Sequence, residues 1–395
     1  MEVDICIVGS GFCGYTAYQK LLDTNKKILL IEGGNLQTPS SPEDQKFYKV
    51  INNDFITSIK FKNKIHKVLN LLDLSFSQRA YTLGGSSEKW AGYIKPFEPS
   101  SYLNKYPRFE SQSWNDFNLL KYDNESLEIL NSPIKDFNPE NVSKSLGISL
   151  EKLPKGLSYT TYAWAKSTLR LKSFWINKAT SAVDELDNTR NVLYGHKLID
   201  AKIKDQKIFE LIFQNNRNKY FFVKAKKFII ALGGVENGRF MNILSRKNSF
   251  KNSNKNLNNF QEHPHLYNCA YVKLDFEKIP EYLIERMPIK DTQSEKEGFV
   301  AIRVKAWDGI GTPKATLWLK KRYYSNFERL KGKFKSFIKA DNFYDYQIEM
   351  RCEQRPCSNS NLNFDNAITK LNWEVDEKDF KIYSEYLKRY ISFLK

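Results

Sequence analysis

The N-terminal stretch has the hydrophobic pattern of a strand, a helix and a second strand. Residues 4–8 form a short apolar run rich in β-branched side chains, which is typical of a buried parallel strand. A glycine-rich turn separates this run from residues 15–22, which we expect to be helical. Residues 27–31 form a second apolar run, and Glu32 stands at its end. This order predicts a β-α-β unit with an acidic residue after its second strand.

The turn at residues 9–14 fits the pattern G-x-G-x-x-G. In dinucleotide-binding folds the first glycine allows a tight turn, the second lets backbone approach a pyrophosphate, and the third lets the helix pack on the strand. The helix N-terminus adds N–H groups and the positive end of the helix dipole. Glu32 lies where an acid hydrogen-bonds a ribose 2′-OH, and its charge disfavours the 2′-phosphate of NADP. The pattern indicates a dinucleotide site, and the alternative is a β-α-β unit whose glycines serve packing alone.

The second half of the chain is rich in strands. Alternating runs predict strands at residues 191–194, 198–203, 208–214 and 219–224. An apolar strand at 227–231 then ends in paired glycines, with a helix predicted at 237–244. From residue 266 to 375 strands follow one another without helices between them, which favours a mostly antiparallel sheet.

Length and composition fit a folded protein of two domains. The 395 residues include 41% hydrophobic and 14% aromatic side chains, enough for sizeable cores. No apolar run reaches the length of a membrane-spanning helix, and no signal peptide precedes the first strand. We therefore expect a cytoplasmic protein without a membrane span.

Charge and cysteine content exclude some classes of partner. The net charge of +17 does not predict a nucleic-acid partner, because the lysines are spread along the whole chain. The five cysteines are scattered, and the closely spaced Cys352 and Cys357 have no second pair and no nearby histidine. We therefore predict a reduced protein without a metal site.

Residues 81–96 form a second glycine-rich stretch. Two adjacent glycines, two serines, a tryptophan and a further glycine could wrap a ligand, with N–H groups and hydroxyls for phosphate and an aromatic wall. A surface turn with a buried tryptophan explains the composition equally well.

The stretch LGGSSEKWAGYIKPFEPSSY, followed by Ser113 and Trp114, resembles the second flavin-binding signature of the glucose–methanol–choline (GMC) oxidoreductases. In that family the loop lies along the FAD pyrophosphate and the flavin ring. Some members carry a histidine before the tryptophan that bonds covalently to the flavin. Lys89 occupies that place here, so the resemblance implies non-covalent FAD.

Two later stretches are also similar to GMC sequences. Residues 227–237 resemble the strand whose Ala-x-Gly-Gly turn passes near the dinucleotide, and the position of Leu198 matches one whose backbone contacts the adenine. Residues 349–373 resemble a run of the form E-Q-x-P…L-x-W. The predicted cofactor-binding residues are Gly9, Gly11, Gly14, Glu32, Gly33, Gly84, Gly85, Ser86, Ser87, Trp90, Gly92, Leu198, Ala231 and Gly233.

His263 and His265 form a histidine cluster with three readings. They could bind a metal, although no third ligand is visible, or supply a catalytic base. The resemblance instead implies a structural His-Pro step where the chain crosses from the FAD domain to the substrate domain. The GMC pattern places its catalytic histidine, with a second His or Asn, after the last strands, and residues 376–395 contain none. We therefore expect a chain that lacks the family's C-terminal catalytic segment, with catalytic residues unknown beyond these two histidines.

The resemblance implies an α/β Rossmann-like, discontinuous FAD-binding domain (1–100 and 180–265). It also implies an α+β substrate domain with a mostly antiparallel sheet (101–179 and 266–395), C-terminally incomplete. The implied function is oxidation of CH-OH groups of a small alcohol or sugar-like substrate, with hydride transfer to flavin N5. One alternative is a truncated or split, non-catalytic relative that needs a complementing C-terminal chain or has lost activity. Another is an NAD-binding dehydrogenase. The sequence identifies neither the substrate nor the electron acceptor.

Overall fold

A computed structural model describes most of the chain, in segments. The described residues are 1–36, 48–50, 58–61, 64–67, 80–90, 92–96, 122–147, 149–165, 170–187, 189–247, 258–275, 298–304, 315–321, 343–365 and 368–394. Ser113 and Trp114, which contribute to the GMC resemblance, lie outside these residues.

Helices and strands alternate early in the described chain, and strands dominate later. The helices are α1 Phe12–Leu21, α2 Asp123–Ile129, α3 Pro139–Ser145, α4 Leu171–Trp175, α5 Gly233–Ser245 and α6 Glu377–Phe393. The strands are β1 Glu2–Val8, β2 Ile28–Ile31, β3 Tyr48–Val50, β4 Ser58–Phe61, β5 Lys64–Lys67, β6 Tyr93–Ile94, β7 Leu157–Trp164, β8 Ala179–Thr180, β9 Arg190–Leu193, β10 His196–Lys204, β11 Lys207–Asn215, β12 Tyr220–Ile230, β13 His265–Asp275, β14 Gly298–Val304, β15 Ala315–Lys321, β16 Phe343–Cys352, β17 Asn361–Asp365 and β18 Ile368–Asn372.

The N-terminal β-α-β unit lies in the middle of a seven-stranded sheet with the order β10-β11-β12-β1-β2-β9-β8. β1 is parallel to β12 on one side and to β2 on the other. Every residue of β2 and Cys6, Ile7 and Val8 of β1 are almost fully buried, as the apolar runs predicted. The predicted β-α-β unit is confirmed.

Two predicted boundaries are wrong, one within this sheet and one at the helix that follows β12. The strands predicted at 219–224 and 227–231 are one continuous strand, β12. It pairs antiparallel with β11 as far as Lys224 and parallel with β1 from Lys224 onward. The strand therefore changes its partner at Lys224, where we expected the chain to leave one strand and begin another. The helix predicted from residue 237 begins at Gly233, and the Asn237 side chain accepts a hydrogen bond from the Leu232 N–H (3.1 Å).

A six-stranded sheet with the order β13-β16-β15-β14-β7-β6 forms the second part of the fold. All of its neighbouring strands are antiparallel, which confirms the mostly antiparallel sheet. One face packs against α6 in a core that includes Leu317, Ile348, Met350, Tyr383 and Leu387. Among the described residues, no helix is both long and apolar enough to cross a membrane.

A buried polar junction fixes the start of α6. Asp379 is fully buried in the first turn, and its carboxylate accepts hydrogen bonds from the Arg355 backbone N–H (2.8 Å) and Nε (2.5 Å). The neighbouring Gln354 accepts the indole N–H of Trp373 (2.6 Å). The 349–373 run therefore joins the antiparallel sheet to α6 through buried polar contacts.

We expect Arg355→Met to lower the free energy of unfolding by about 3 kcal/mol, because it leaves the Asp379 carboxylate buried without its cation. Lys381→Met is the matched control, because its pair with Glu377 lies on the same helix with both side chains largely exposed. The control should cost less than about 0.5 kcal/mol. Urea denaturation measures both variants, and equal losses would contradict a structural role for the buried pair.

Candidate cofactor site

The first glycine turn requires glycine at two positions for steric reasons. Gly9 has φ +104°, and a Cβ there would lie 2.4 Å from the carbonyl oxygen of Ala231. A Cβ on Gly14 would lie 1.8 Å from the carbonyl oxygen of Gly9. The turn therefore packs tightly against the end of β12 on one side and the first turn of α1 on the other. Ala231, predicted to lie near the cofactor, is thus placed at the first glycine turn.

Gly11 is different, because nothing crowds it. It is the N-cap of α1 with an extended backbone, and no described side chain caps the helix. The nearest heavy atom to a Cβ on Gly11 would be the carbonyl oxygen of Gly84, at 4.0 Å. The first turn of α1 carries no acidic residue. The helix start therefore offers N–H groups, a positive dipole end and free space, which together suit an anionic group.

The second glycine turn faces the first. Gly84 has φ +91°, and Gly85 has φ +57° at the start of a short 3₁₀ helix, Gly85–Glu88. A Cβ on Gly85 would lie 3.4 Å from the Cα of Gly11. The two turns therefore approach each other at their glycines. A site that binds one ligand through backbone groups of both turns requires such an approach.

Ser86 and Ser87, both predicted phosphate donors, have different environments. Ser86 is exposed. Ser87 is 1% exposed, and its hydroxyl donates to the Gly84 carbonyl (2.8 Å) and accepts the Leu171 N–H (3.2 Å). In this structure the Ser87 hydroxyl therefore stabilises the second glycine turn and links it to α4.

Ser10 joins the two turns, and sequence reasoning missed it. Its N–H (2.9 Å) and its hydroxyl (2.7 Å) both donate to Oε2 of Glu32, and its hydroxyl oxygen accepts the N–H of Gly84 (2.7 Å). Its carbonyl oxygen accepts the indole N–H of Trp175 (2.9 Å). Ser10 occupies a variable position of the G-x-G-x-x-G pattern, so spacing gave no signal. The sequence offered only a small hydroxyl residue in the first glycine turn and an acid at the end of β2.

Glu32 is almost fully buried at the end of β2. Besides the two bonds from Ser10, its Oε1 accepts the N–H of Gly34 (2.7 Å). Burial raises the pKa of Glu32, while the hydrogen bonds from Gly34 and Ser10 lower it. The predicted ribose acid is thus held in one orientation by the first glycine turn and by the backbone that follows β2.

The chain after Glu32 packs against two other segments. A Cβ on Gly34 would lie 2.2 Å from the backbone nitrogen of Thr82, whose hydroxyl donates to the Asn35 carbonyl (2.7 Å). A Cβ on Gly33 would lie 3.4 Å from the Cα of Lys197. Gly33 therefore lies beside the start of β10.

A cluster of charged side chains lies beside the start of β10. Arg239 forms an ion pair with Glu236 (2.5 Å) and donates to the carbonyl oxygen of Leu198 (2.8 Å). The Tyr81 hydroxyl also donates to Glu236 (2.7 Å). Burial, and then the charge of Arg239, lowers the pKa of Lys197 to about 8. Leu198, predicted to contact adenine through its backbone, already uses its carbonyl oxygen to accept Arg239.

The remaining predicted residues flank the two turns. The Trp90 ring packs edge-on against Phe12 at the start of α1, with centroids 4.8 Å apart. Gly92 has φ +82°, and its carbonyl accepts the N–H of Ala165 (2.9 Å). Gly233 has φ +74° and opens α5.

The two candidate histidines lie elsewhere: His265 is the first residue of β13 in the antiparallel sheet, and His263 comes just before it. His263 is exposed, whereas His265 is half-buried and pairs in register with Arg351. Burial, and then the nearby Arg351 charge, lowers the pKa of His265 to about 4. Within the described residues no group of three or more His, Cys, Asp or Glu side chains is arranged to bind a metal.

Comparison with known proteins identifies the fold. No protein-family model and no curated protein matches the chain. Among solved structures, pyridoxine 4-oxidase from Mesorbium loti matches with a TM-score of 0.50 and 14% identity, over 98% of this chain and 80% of that one. A formate oxidase structure matches with a TM-score of 0.49 and 15% identity, also over 98% and 80%. At such low identity the similarity to pyridoxine 4-oxidase shows a shared fold and nothing more.

We expect Ser10→Ala to destabilise the protein by about 1–3 kcal/mol, because it leaves the Gly84 N–H buried without an acceptor and removes one donor to Glu32. Ser173→Ala is the control, since that hydroxyl is exposed and bonds only to the Arg170 carbonyl of its own helix. The control should stay within about 0.5 kcal/mol of the parent protein. If urea denaturation gives the two variants the same stability, Ser10 does not join the turns.

Proposed function

We propose that this chain is an FAD-dependent oxidoreductase that binds FAD non-covalently and oxidises a CH-OH group of a small alcohol or sugar-like substrate. The observation that carries the proposal is the meeting of Gly11 and Gly85 at an uncapped helix start, with open space at Gly11. The GMC-like motifs and the shared fold support the same conclusion. The division into a discontinuous FAD domain and a substrate domain, and a cytoplasmic location, stay part of this proposal.

The residues present fit FAD. The first glycine turn and the exposed Ser86 hydroxyl would hold the pyrophosphate, Glu32 the ribose, and the start of β10 the adenine. Trp90 and Gly92 would line the approach to the flavin ring, and Lys89 stands where covalent members carry histidine. Bound FAD would supply a hydride acceptor.

One observation favours an alternative without catalysis. A general base works best when its pKa lies near the working pH. His265, with a pKa of about 4, is a weak base at neutral pH, and His263 is exposed just before β13. A non-catalytic relative that binds FAD, or one that needs a partner chain to supply the base, fits this arrangement. Turnover assays on FAD-loaded protein separate the two readings.

Gly11→Ala tests the cofactor site without disturbing the fold. The backbone of Gly11 suits alanine and the added methyl group meets no atom closer than 4.0 Å, so stability should change by less than about 1 kcal/mol. The methyl group would occupy the space meant for the pyrophosphate, so the affinity for FAD should fall about tenfold or more.

Titration of the purified protein with FAD, followed by flavin absorbance and fluorescence, measures that affinity. Gln19→Ala, farther along the same helix, is the control and should bind FAD like the parent protein. A parent protein that does not bind FAD, or binds NAD in its place, would sink the proposal.

Lys197 makes the affinity for FAD depend on pH. Lys197 lies beside Gly33, and its ammonium form would attract the negatively charged FAD. This form is lost as the pH rises through about 8. The affinity should therefore fall between about pH 7 and pH 9 by roughly fivefold, the effect of about 1 kcal/mol of Coulomb energy. Lys197→Met should bind more weakly at the lower pH and show little change over this range. A parent protein with constant affinity across the range would rule out this contribution.

A further inference from the structure

Two exposed aromatic side chains lie close together at the start of β12. Tyr220 is 61% exposed and Phe222 is 42% exposed. Single apolar side chains on a protein surface are common and need no explanation. Two aromatic rings two residues apart on one strand form a patch instead, and exposed apolar patches mark surfaces that bind something.

The two sides of this strand differ. Phe221 and Val223 pack in the core that contains Phe240 of α5. Side chains alternate across a strand, so Tyr220 and Phe222 point to the side away from α5. We call this side of β10, β11 and the start of β12 the outer face. Its residues, matched by strand register, are Lys202, Glu210, Ile212, Gln214, Tyr220, Phe222 and Lys224.

The start of β12 extends past the end of β1. β11 pairs with β12 from Tyr220 to Lys224, whereas β1 pairs with β12 only from Lys224 onward. The core beneath α1 contains Ile5 of β1 and Ile28 of β2, but no residue of the outer face belongs to it. The outer face therefore lies beyond the part of the sheet that α1 covers.

Positive charge lies next to the aromatic patch. Arg217 and Lys219 lie in the turn between β11 and β12, just before Tyr220. Both side chains are exposed, and neither forms a hydrogen bond or ion pair within the described part of the chain. Two cations are therefore available beside the exposed rings.

Acidic residues are few in these strands. Residues 196–230 contain nine lysines and arginines against three acids, so the strands carry an excess of positive charge. Glu210 is buried and forms an ion pair with Lys202 (2.6 Å). Glu2 of β1 lies opposite Lys224 in the strand register. These acids lie beside the lysines of the strands, and the cations of the turn remain uncompensated.

Lys202 also contacts the aromatic patch. Its ammonium lies 5.3 Å from the ring centroid of Phe222, a cation–π distance. Lysine side chains extend over apolar surface while their ammonium groups stay in water. Exposed aromatic rings beside lysines are typical of surfaces that lie at a membrane interface, where the rings enter the headgroup layer and the cations meet anionic lipids.

The chemistry of the outer face suits a second copy of the chain less well. A two-fold dimer brings the same patch of both subunits together, which would place Arg217 and Lys219 of one copy against those of the other. Pairing along the sheet edge is also disfavoured. The edge strand β10 has register shifts after Leu198 and after Lys202, and irregular edges oppose pairing between chains.

Single-stranded nucleic acid also fits less well. Bases stack on open ring faces in a groove that follows the phosphate backbone. The outer face is one side of an antiparallel sheet, and the Lys202 ammonium already lies over the Phe222 ring. A lipid surface requires only that the rings be exposed and the cations be near.

The outer face is far from the candidate cofactor site. β12 runs from Tyr220 to Ile230, and the next residue, Ala231, lies at the first glycine turn. The strand has eleven residues, which span about 33 Å. A surface bound at the start of β12 would therefore leave the glycine turns open.

We propose that the outer face docks the chain on an anionic membrane surface. Tyr220 and Phe222 enter the headgroup layer, and Arg217 and Lys219 pair with lipid phosphates. The contact is peripheral and uses no membrane-spanning helix. It involves residues outside the candidate cofactor site, so it does not rest on the proposed function.

Co-sedimentation of the full chain with large lipid vesicles tests the proposal. Vesicles of phosphatidylcholine alone are compared with vesicles of equal parts phosphatidylcholine and phosphatidylserine. The anionic vesicles should bind the chain about tenfold or more tightly, because each cation near an anionic surface adds attraction. Equal affinity for the two kinds of vesicle, or no binding to the anionic ones, would overturn the proposal.

A pair of variants tests the aromatic patch. Phe222→Ser should weaken binding to the anionic vesicles about fivefold or more, because less apolar area enters the headgroup layer. Met241→Ser is the matched control, because Met241 is 40% exposed but lies on α5, on the other side of the sheet. It should bind like the parent protein. Tyr220→Ser provides a second test if circular dichroism shows that Phe222→Ser does not fold.

A second pair of variants separates local charge from net charge. Lys219→Glu should weaken binding to the anionic vesicles about tenfold or more. Lys155→Glu makes the same change in net charge at an exposed position in the loop before β7. It should change the affinity less than about twofold, because exposed charges act over a Debye length of about 8–10 Å.

Equal effects within either pair of variants would overturn the proposal. Binding of oligothymidylate without binding to vesicles would assign the outer face to nucleic acid instead. A dimer that Phe222→Ser dissociates, with vesicle binding unchanged, would assign it to a second copy. FAD titration of Phe222→Ser should match the parent protein. Vesicle binding by a chain that does not bind FAD would retain the docking surface and reject the proposed function.

Discussion

The hydrogen bonds of Ser10 hold the candidate cofactor site together. One hydroxyl donates to Glu32 and accepts the N–H of Gly84, so it joins two glycine turns that are far apart in the sequence. The Ser10 carbonyl also accepts the indole of Trp175. Because each of these groups is buried, each must find a partner or cost free energy. The geometry of both turns follows from satisfying them together.

The same junction explains how a carboxylate is kept buried at Glu32. Burial raises its pKa, and the bonds from Gly34 and Ser10 act in the opposite direction. Donors that belong to the turns themselves offset part of the cost of burying this charge. The orientation of the acid and the position of Gly84 are therefore linked through Ser10.

Much of the fold could be predicted from the sequence, because its signals are local. The β-α-β unit follows from apolar runs and a glycine turn, and the antiparallel sheet from successive strands without helices. The continuity of β12 could not be predicted, since it depends on a change of partner at Lys224 between strands distant in sequence. The start of α5 at Gly233 was missed because paired glycines normally indicate a turn. In the site, the glycine positions were predictable, whereas Ser10, the internal role of Ser87 and the charge cluster around Lys197 depend on long-range packing.

We propose that FAD binds where the two glycine turns meet. Hydrogen–deuterium exchange with and without FAD tests it most directly, because backbone N–H groups are the proposed ligands. We predict slower exchange on adding FAD in peptides that cover residues 9–14 and 84–88, with little change in α6. Exchange that FAD leaves unchanged in both turns, or slows only elsewhere, would contradict it.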